Sequence, residues 1–308
     1  MYCSLQRASQ RGDGGVGRAW VSCNACGADA FVERLTRGEW HIGQCSVCSL
    51  IYVNPMPIFS PTSYTHLSHD FYYTRLQRQI TPARVDFERR QLASQLEKAS
   101  PSAPPPGAAV AFLDVGCGPG LAVRAAADLG WEAVGLDIDS DLVELGRRAL
   151  GVDLRCNSVI EARLGEGRFH LVRFKSVLHL LPNPYDVLVE VRRVLRPGGV
   201  VLVIVPNENG LLNQLNLLLG RRRTNRMGTL ILPYHSHAFT PGTLTRLLDR
   251  AGLRPHGVET TTPTDPTYAS ISYLEHRSLR QQALRLVWEM ARALHRGSVL
   301  IAYAGKSS

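Results

Sequence analysis

The chain has 308 residues, of which 44% are hydrophobic and 20% charged, with a formal net charge of +9. This suits a soluble globular protein of one large domain or two modest ones. No run approaches the roughly 20 apolar residues that span a bilayer, and the N-terminus (Arg7, Arg11, Arg18) lacks the apolar segment of a secretory signal. The basic surplus could mark an anionic partner, nucleic acid included, or simply an arginine-rich composition. Residues 1–60 are nearly neutral, with five basic side chains against four acidic ones.

Residues 1–20 read as a disordered, Gly-rich tail. Residues 21–60 form a metal-binding module. Cys23-Asn24-Ala25-Cys26 and Cys45-Ser46-Val47-Cys48 are two C-x-x-C pairs with 18 residues between them. Two such knuckles present four thiolates, a closed tetrahedral set that points to structural zinc; iron or a redox pair are the alternatives. A hairpin over Ala30–Leu35 and Trp40–Ile42 joins the pairs, with His41 on its surface. The seven cysteines are an odd number, and with four in a metal pattern they fit the reducing cytoplasm. Residues 61–98 are a helical and aromatic cap. Its Tyr64, Phe71, Tyr72 and Tyr73 are either a small core or a lid over the site, and Tyr73 is a catalytic candidate. A helix follows over 75–97, with Pro82 disturbing its start. The Pro-rich stretch 99–107 is a linker.

From Ala108 strand and helix alternate, as a doubly wound α/β sheet requires. Val110–Val115 is a strand that runs into Gly116-Cys117-Gly118-Pro119-Gly120, a tight turn able to bring a ligand against backbone N–H groups and a helix N-terminus. Glu132–Leu136 is the second strand, and Asp137 at its tip can accept both hydroxyls of a ribose. Ser140 caps the next helix. Val152–Cys156 is the third strand, with Asn157 and Ser158 at its exit. Phe169–Val177 is the fourth, delivering Lys175, Ser176 and His179 to the same edge. Asn183-Pro184 opens a helix to Leu195. The apolar run Val200–Val205 suits a fifth strand covered on both faces.

Leu113-Asp114-Val115-Gly116-Cys117-Gly118-Pro119-Gly120, Val134-Gly135-Leu136-Asp137 and Leu195-Arg196-Pro197-Gly198-Gly199 together resemble a class I S-adenosylmethionine-dependent methyltransferase, with residues 108–304 as that domain. The resemblance implies a doubly wound, seven-stranded Rossmann-like sheet carrying the small N-terminal zinc knuckle. It implies S-adenosylmethionine as cofactor, its methionine part near Gly116, Cys117, Gly118 and Gly120, and its ribose on Asp137. Asp114 would order the loop or reach the amino group through water, and Ile138 would cover the adenine. Asn157 and Ser158 occupy the region where the family often carries an acid, and Lys175 lies at the same edge. His179 would face methyl transfer.

Residues 206–239 are an insertion that, by the same resemblance, forms a substrate lid. It holds a leucine-rich helix over 210–219, four arginines within Arg221–Arg226 able to hold an anionic substrate or form a solvated turn, and His235-Ser236-His237. His179 and His237 are the candidate bases, since imidazole titrates near neutrality. Thr240-Pro241 opens a helix to Ala251, and Pro255–Glu259 is the sixth strand. Tyr268–Tyr273 extends the sheet or the substrate wall. Leu279–Leu294 is an amphipathic helix whose Leu279, Ala283, Leu286, Met290 and Leu294 pack in the core or against a second copy in a homodimer. Ser298–Ala304 is a last, antiparallel strand between the fifth and sixth.

The expected reaction is methyl transfer to an O or C nucleophile of a small molecule, one of secondary metabolism. The alternatives are a ribosomal RNA base methyltransferase with a zinc knuckle, disfavoured by the near-neutral N-terminal module, and a non-catalytic protein that keeps the fold. No membrane partner is expected.

Overall fold

A computed structural model describes residues 17–57, 73–74, 76–99, 110–218, 226–227, 229–231, 235–262 and 279–306. Cys3, Tyr64, Phe71, Tyr72, the Pro-rich linker from 100 onward and Tyr268–Tyr273 lie outside the described residues. So do the side chains of the Arg221–Arg226 cluster, Leu279 and Ala283.

The N-terminal part begins with β1 (Arg18–Ala19), then the hairpin β2 (Phe31–Arg37) and β3 (Trp40–Cys45), then β4 (Ile51–Val53) and β5 (Met56–Pro57). β5 returns to pair with β1. Helix α1 (Pro82–Ala99) starts on its proline, where a missing N–H costs nothing. The main sheet then follows as β6 (Ala111–Val115), α2 (Leu121–Asp128), β7 (Glu132–Asp137), α3 (Ser140–Leu150), β8 (Leu154–Cys156), β9 (Phe169–Lys175), α4 (Pro184–Val194) and β10 (Leu195–Pro206). After β10 come α5 (Leu211–Leu218), the short strands β11 (Arg226–Met227), β12 (Leu230–Ile231) and β13 (His237–Ala238), then α6 (Pro241–Arg250), β14 (Leu253–Thr261), α7 (Leu279–Ala293) and β15 (Val299–Lys306).

Seven strands lie in the order β14-β15-β10-β9-β6-β7-β8. β15 runs antiparallel to both β10 and β14, and the other neighbours are parallel. This is the expected mostly parallel, seven-stranded Rossmann-like sheet. Its centre shows why the pattern in β10 is apolar without alternation. Val200, Leu202 and Ile204 join a cluster with Leu92 of α1 and Ala125 of α2. Val201, Val203 and Val205 join the opposite cluster with Val191 of α4 and Leu247 of α6. Each such side chain contributes on the order of 1.5–3 kcal/mol on burial.

Helix ends follow side-chain chemistry, with one correction. The N-cap of α3 is Asp139, whose carboxylate accepts from the N–H groups of Asp141 and Leu142, and not Ser140. Asn183 caps α4 and Thr240 caps α6. In α7 the core-packing alternative does not hold for the stripe read from the sequence. Leu286, Met290 and Leu294 are exposed, and the helix is held through Trp288 and Ala291 on its other side. A four-residue apolar spacing marks a stripe and leaves open which stripe faces the body.

The insertion contributes β13 to the N-terminal sheet, which is ordered β13-β4-β3-β2. His237 pairs with Tyr52 and Ala238 with Ile51. Cys23, Cys45, Leu50 and Tyr52 belong to the same buried cluster as Phe174, Leu188 and Leu247 of the sheet and its helices. The knuckle and the sheet therefore share one core. Among the described residues, no helix is long and apolar enough to cross a membrane.

Candidate active site

β6 ends in a turn tied down at its start, because Gly116 and Cys117 both donate to the Leu136 carbonyl of β7, at 2.7 and 3.0 Å. Gly116 has φ +71°, and a Cβ there would lie 2.2 Å from a Val177 methyl carbon. Only glycine meets both conditions. Gly118 has φ +54°, and a Cβ there would touch nothing nearer than Leu76 Cδ1, at 3.9 Å. The outer side of this backbone is thus a cradle beneath the segment before α1, to which the half-buried Tyr73 belongs. Gly120 supplies no side-chain cap to α2, so the first-turn N–H groups are open to a ligand.

Asp137 stands across this turn. Its Oδ2 accepts from Gly118 N at 2.7 Å and its Oδ1 from Asp139 N at 3.0 Å. A carboxylate has roughly four acceptor positions, so about two remain for a diol. Burial pushes the carboxyl up to about 6, although both amides pull the other way. Ile138 is half-buried beside it. Asn157 is exposed, and Ser158 Oγ donates to Glu161 Oε2 at 2.8 Å, so the exit of β8 carries an acid after all.

Beneath the turn lies a buried ionic network. Asp114 receives a bidentate pair from Arg173, Nε and Nη2 each at 2.9 Å. Arg173 Nη1 donates to Glu88 Oε2 at 3.0 Å, and Lys175 Nζ donates to Glu88 Oε1 at 2.8 Å. Arg84 Nη2 also stands 4.0 Å from Glu88 Oε1, so three cations surround the two carboxylates. Burial acts to raise the Glu88 carboxyl, but Lys175 and then Arg173 override it and hold it at about 2. Asp114 and Lys175, both read from the sequence as cofactor residues, are thus engaged inside the protein.

Three histidines meet past the end of β9, where Ser176 has φ +60°. His179 is buried, and its Nδ1 has no hydrogen-bond partner among the described residues. Its ring lies 4.5 Å from that of His235, edge to face. Its carbonyl accepts from Ser236 and His237, which fastens the insertion to this loop. His235 Nδ1 donates to the Thr229 carbonyl at 2.8 Å, and Thr229 in turn donates N–H and Oγ–H to the buried Glu208. His237 is stacked between Tyr52 and Phe239 and faces Asn24. Burial, with the charges of His235 and His237, holds His179 well below the usual imidazole range, and burial pushes His237 down to about 3. Both rings are neutral at physiological pH.

In the knuckle, the sulfurs of Cys23, Cys26, Cys45 and Cys48 all lie within 4.8 Å of one another. Cys23 and Cys48 are 3.4 Å apart, Cys26 and Cys45 3.6 Å. Thiolates about 2.3 Å from a central ion stand about 3.8 Å apart on a tetrahedron's edges, so the donor set and spacing fit. His41 pairs with Glu33 on the hairpin surface, away from the sulfurs.

Asn24, Glu88, Arg173, Glu208 and Thr229 were missed in the sequence. Arg173 did leave a signal, a cation between Val172 and Phe174 in a buried strand, which calls for a buried anion such as the Asp114 that interrupts β6.

A family model described as a methyltransferase domain matches residues 113–203. Over 187 residues the chain is 30% identical to a ubiquinone biosynthesis O-methyltransferase of Cereibacter sphaeroides, covering 58% of this chain and 73% of that protein. The protein of the same description from Roseobacter denitrificans is 29% identical over 186 residues, covering 57% and 72%. The crystal structure of an S-adenosylmethionine-dependent methyltransferase from Archaeoglobus fulgidus matches with a TM-score of 0.52 at 17% identity, covering 77% of this chain and 100% of that one.

Proposed function

Because this chain belongs to the class I S-adenosylmethionine-dependent methyltransferases, it is an enzyme of methyl transfer, and we propose that its acceptor is the hydroxyl oxygen of a small molecule. One observation carries the reading. The glycine turn, Asp137 and His179 follow the ends of β6, β7 and β9, which are neighbours in the sheet. S-adenosylmethionine, when bound, supplies an electrophilic sulfonium methyl. The backbone of Gly116, Cys117, Gly118 and Gly120 would receive its methionine part, Asp137 its ribose, and Ile138 its adenine, with Asn157 and Ser158 at the rim. Asp114 and Lys175 would act through the ionic network, holding the turn rigid. Tyr73 and Leu76 would cover it.

On the acceptor side, His179 is neutral and would take the proton of a hydroxyl as the oxygen attacks. Oxygen is favoured over carbon because the curated relatives are named O-methyltransferases, and because a hydroxyl nucleophile must lose a proton to such a group. The test is transfer of labelled methyl from S-adenosylmethionine to small hydroxylated compounds, with RNA in parallel. We expect label in the small compounds, and a His179→Gln variant about 100-fold slower with unchanged S-adenosylhomocysteine affinity. Label in RNA alone would overturn the assignment.

The four cysteines would hold a structural zinc ion, since four thiolates leave no open position for chemistry. Cys23→Ala should remove the metal and lower the melting temperature, as metal analysis and thermal unfolding would report. Full metal content in a folded variant would contradict the site.

A further inference from the structure

The knuckle reaches the acceptor side through one side chain. Asn24 lies between the cysteines of the first pair and is buried, 6% exposed. Its carbonyl accepts from Arg250 Nη1 at 2.7 Å, and Arg250 stacks 3.8 Å over the Tyr185 ring, so α6 and α4 grip the knuckle at this point. Its amide then has two neighbours of different character. The Tyr185 backbone N–H, which can only donate, lies 3.4 Å from Oδ1. His237 Nε2 lies 3.3 Å from Nδ2. The first contact decides which end of the amide is oxygen, and the second follows. Nδ2 has only protons to offer, so His237 Nε2 must be the lone-pair nitrogen and the ring proton must sit on Nδ1. Nδ1 is buried and has no hydrogen-bond partner among the described residues. Tyr52 and Phe239 lie nearly parallel to the ring, at interplanar angles of 9° and 10° and centroid distances of 6.2 and 5.8 Å.

We propose that Asn24 is a positioning residue that fixes the tautomer and orientation of His237, so that the four-cysteine knuckle builds the acceptor-side wall. His237 N donates to the His179 carbonyl at 3.1 Å, and Ser236 Oγ donates to the Leu180 carbonyl at 3.1 Å. A strand held at His237 therefore also places His235 against His179. This assigns His237, a candidate base by sequence, to the frame around His179. Its functional meaning rests on the methyl-transfer reading above, whereas its chemistry does not.

The test is nitrogen NMR of histidine-labelled, metal-loaded protein, with the His237 signals assigned by their loss in His237→Gln. In the wild type the ring is expected neutral at pH 7 with its proton on Nδ1. In Asn24→Leu, with metal content unchanged, the Nδ1–H to Nε2–H ratio should fall about fivefold, the bias one ordinary hydrogen bond supplies. A wild-type ring protonated on Nε2 overturns the proposal, as does an unchanged ratio in Asn24→Leu. Should that variant not fold, the wild-type spectrum alone decides. Calorimetric titration of the same wild-type sample with S-adenosylhomocysteine reports separately on the methyl-transfer reading, since lost binding there would leave the tautomer result standing.

Discussion

Arg173→Met is expected to destabilise the protein by about 3–5 kcal/mol, the range for removing one partner of a buried ion pair. Arg173 is 3% exposed and compensates two carboxylates at once. Without it, Lys175 still reaches Glu88, but Asp114 is left charged, buried and unpaired. Denaturant unfolding at neutral pH measures the loss, and one below about 1 kcal/mol would contradict the network. Glu88 sets its pH window. A carboxyl held at about 2 when folded contributes stability that is complete above its unfolded value and is lost as pH falls through the folded one. The network therefore holds through the neutral range. It also ties α1 to β9 and β6, so the variant should loosen the segment over Gly118 and weaken cofactor binding.

Asp137→Ala is expected to weaken S-adenosylhomocysteine binding by about 100- to 10,000-fold, since two charge-assisted hydrogen bonds at about 1.5–3 kcal/mol each are removed. Stability should change less. Burial already works against the charge, with the carboxyl near 6, and its relief offsets part of the loss of the hydrogen bonds from Gly118 and Asp139. The same value predicts a pH effect on the wild type. Ribose hydroxyls donate, and so favour the ionised carboxylate. Affinity should fall as pH drops through about 6, and in Asp137→Ala that dependence should vanish. Calorimetry across pH reads both effects.

The glycine turn, Asp137 and the main strands were legible because their signals are local: glycines at positions with positive φ, an acid at a strand tip, apolar runs of strand length; the strand order followed only from the family resemblance. The cysteine pairs were legible because ligand chemistry restricts spacing. The partners that hold the site were not. Asn24 and His237 are 213 residues apart, and Glu88 and Arg173 are 85 apart. No local pattern encodes such a pairing. The His235-Ser236-His237 alternation showed that two imidazoles share a strand direction. It did not show that one meets His179 while the other is pinned by the knuckle. In α7 the apolar period was real, but Trp288 and Ala291, and not Leu286 or Met290, proved to be the anchors.

The most direct test is titration of the metal-loaded wild-type protein with S-adenosylhomocysteine, alongside Asp137→Ala. One saturable site per chain in the wild type, weakened about 100-fold or more in the variant, is the predicted result. No binding by the wild type, or equal affinity in both proteins, would contradict a cofactor site built on the glycine turn and Asp137.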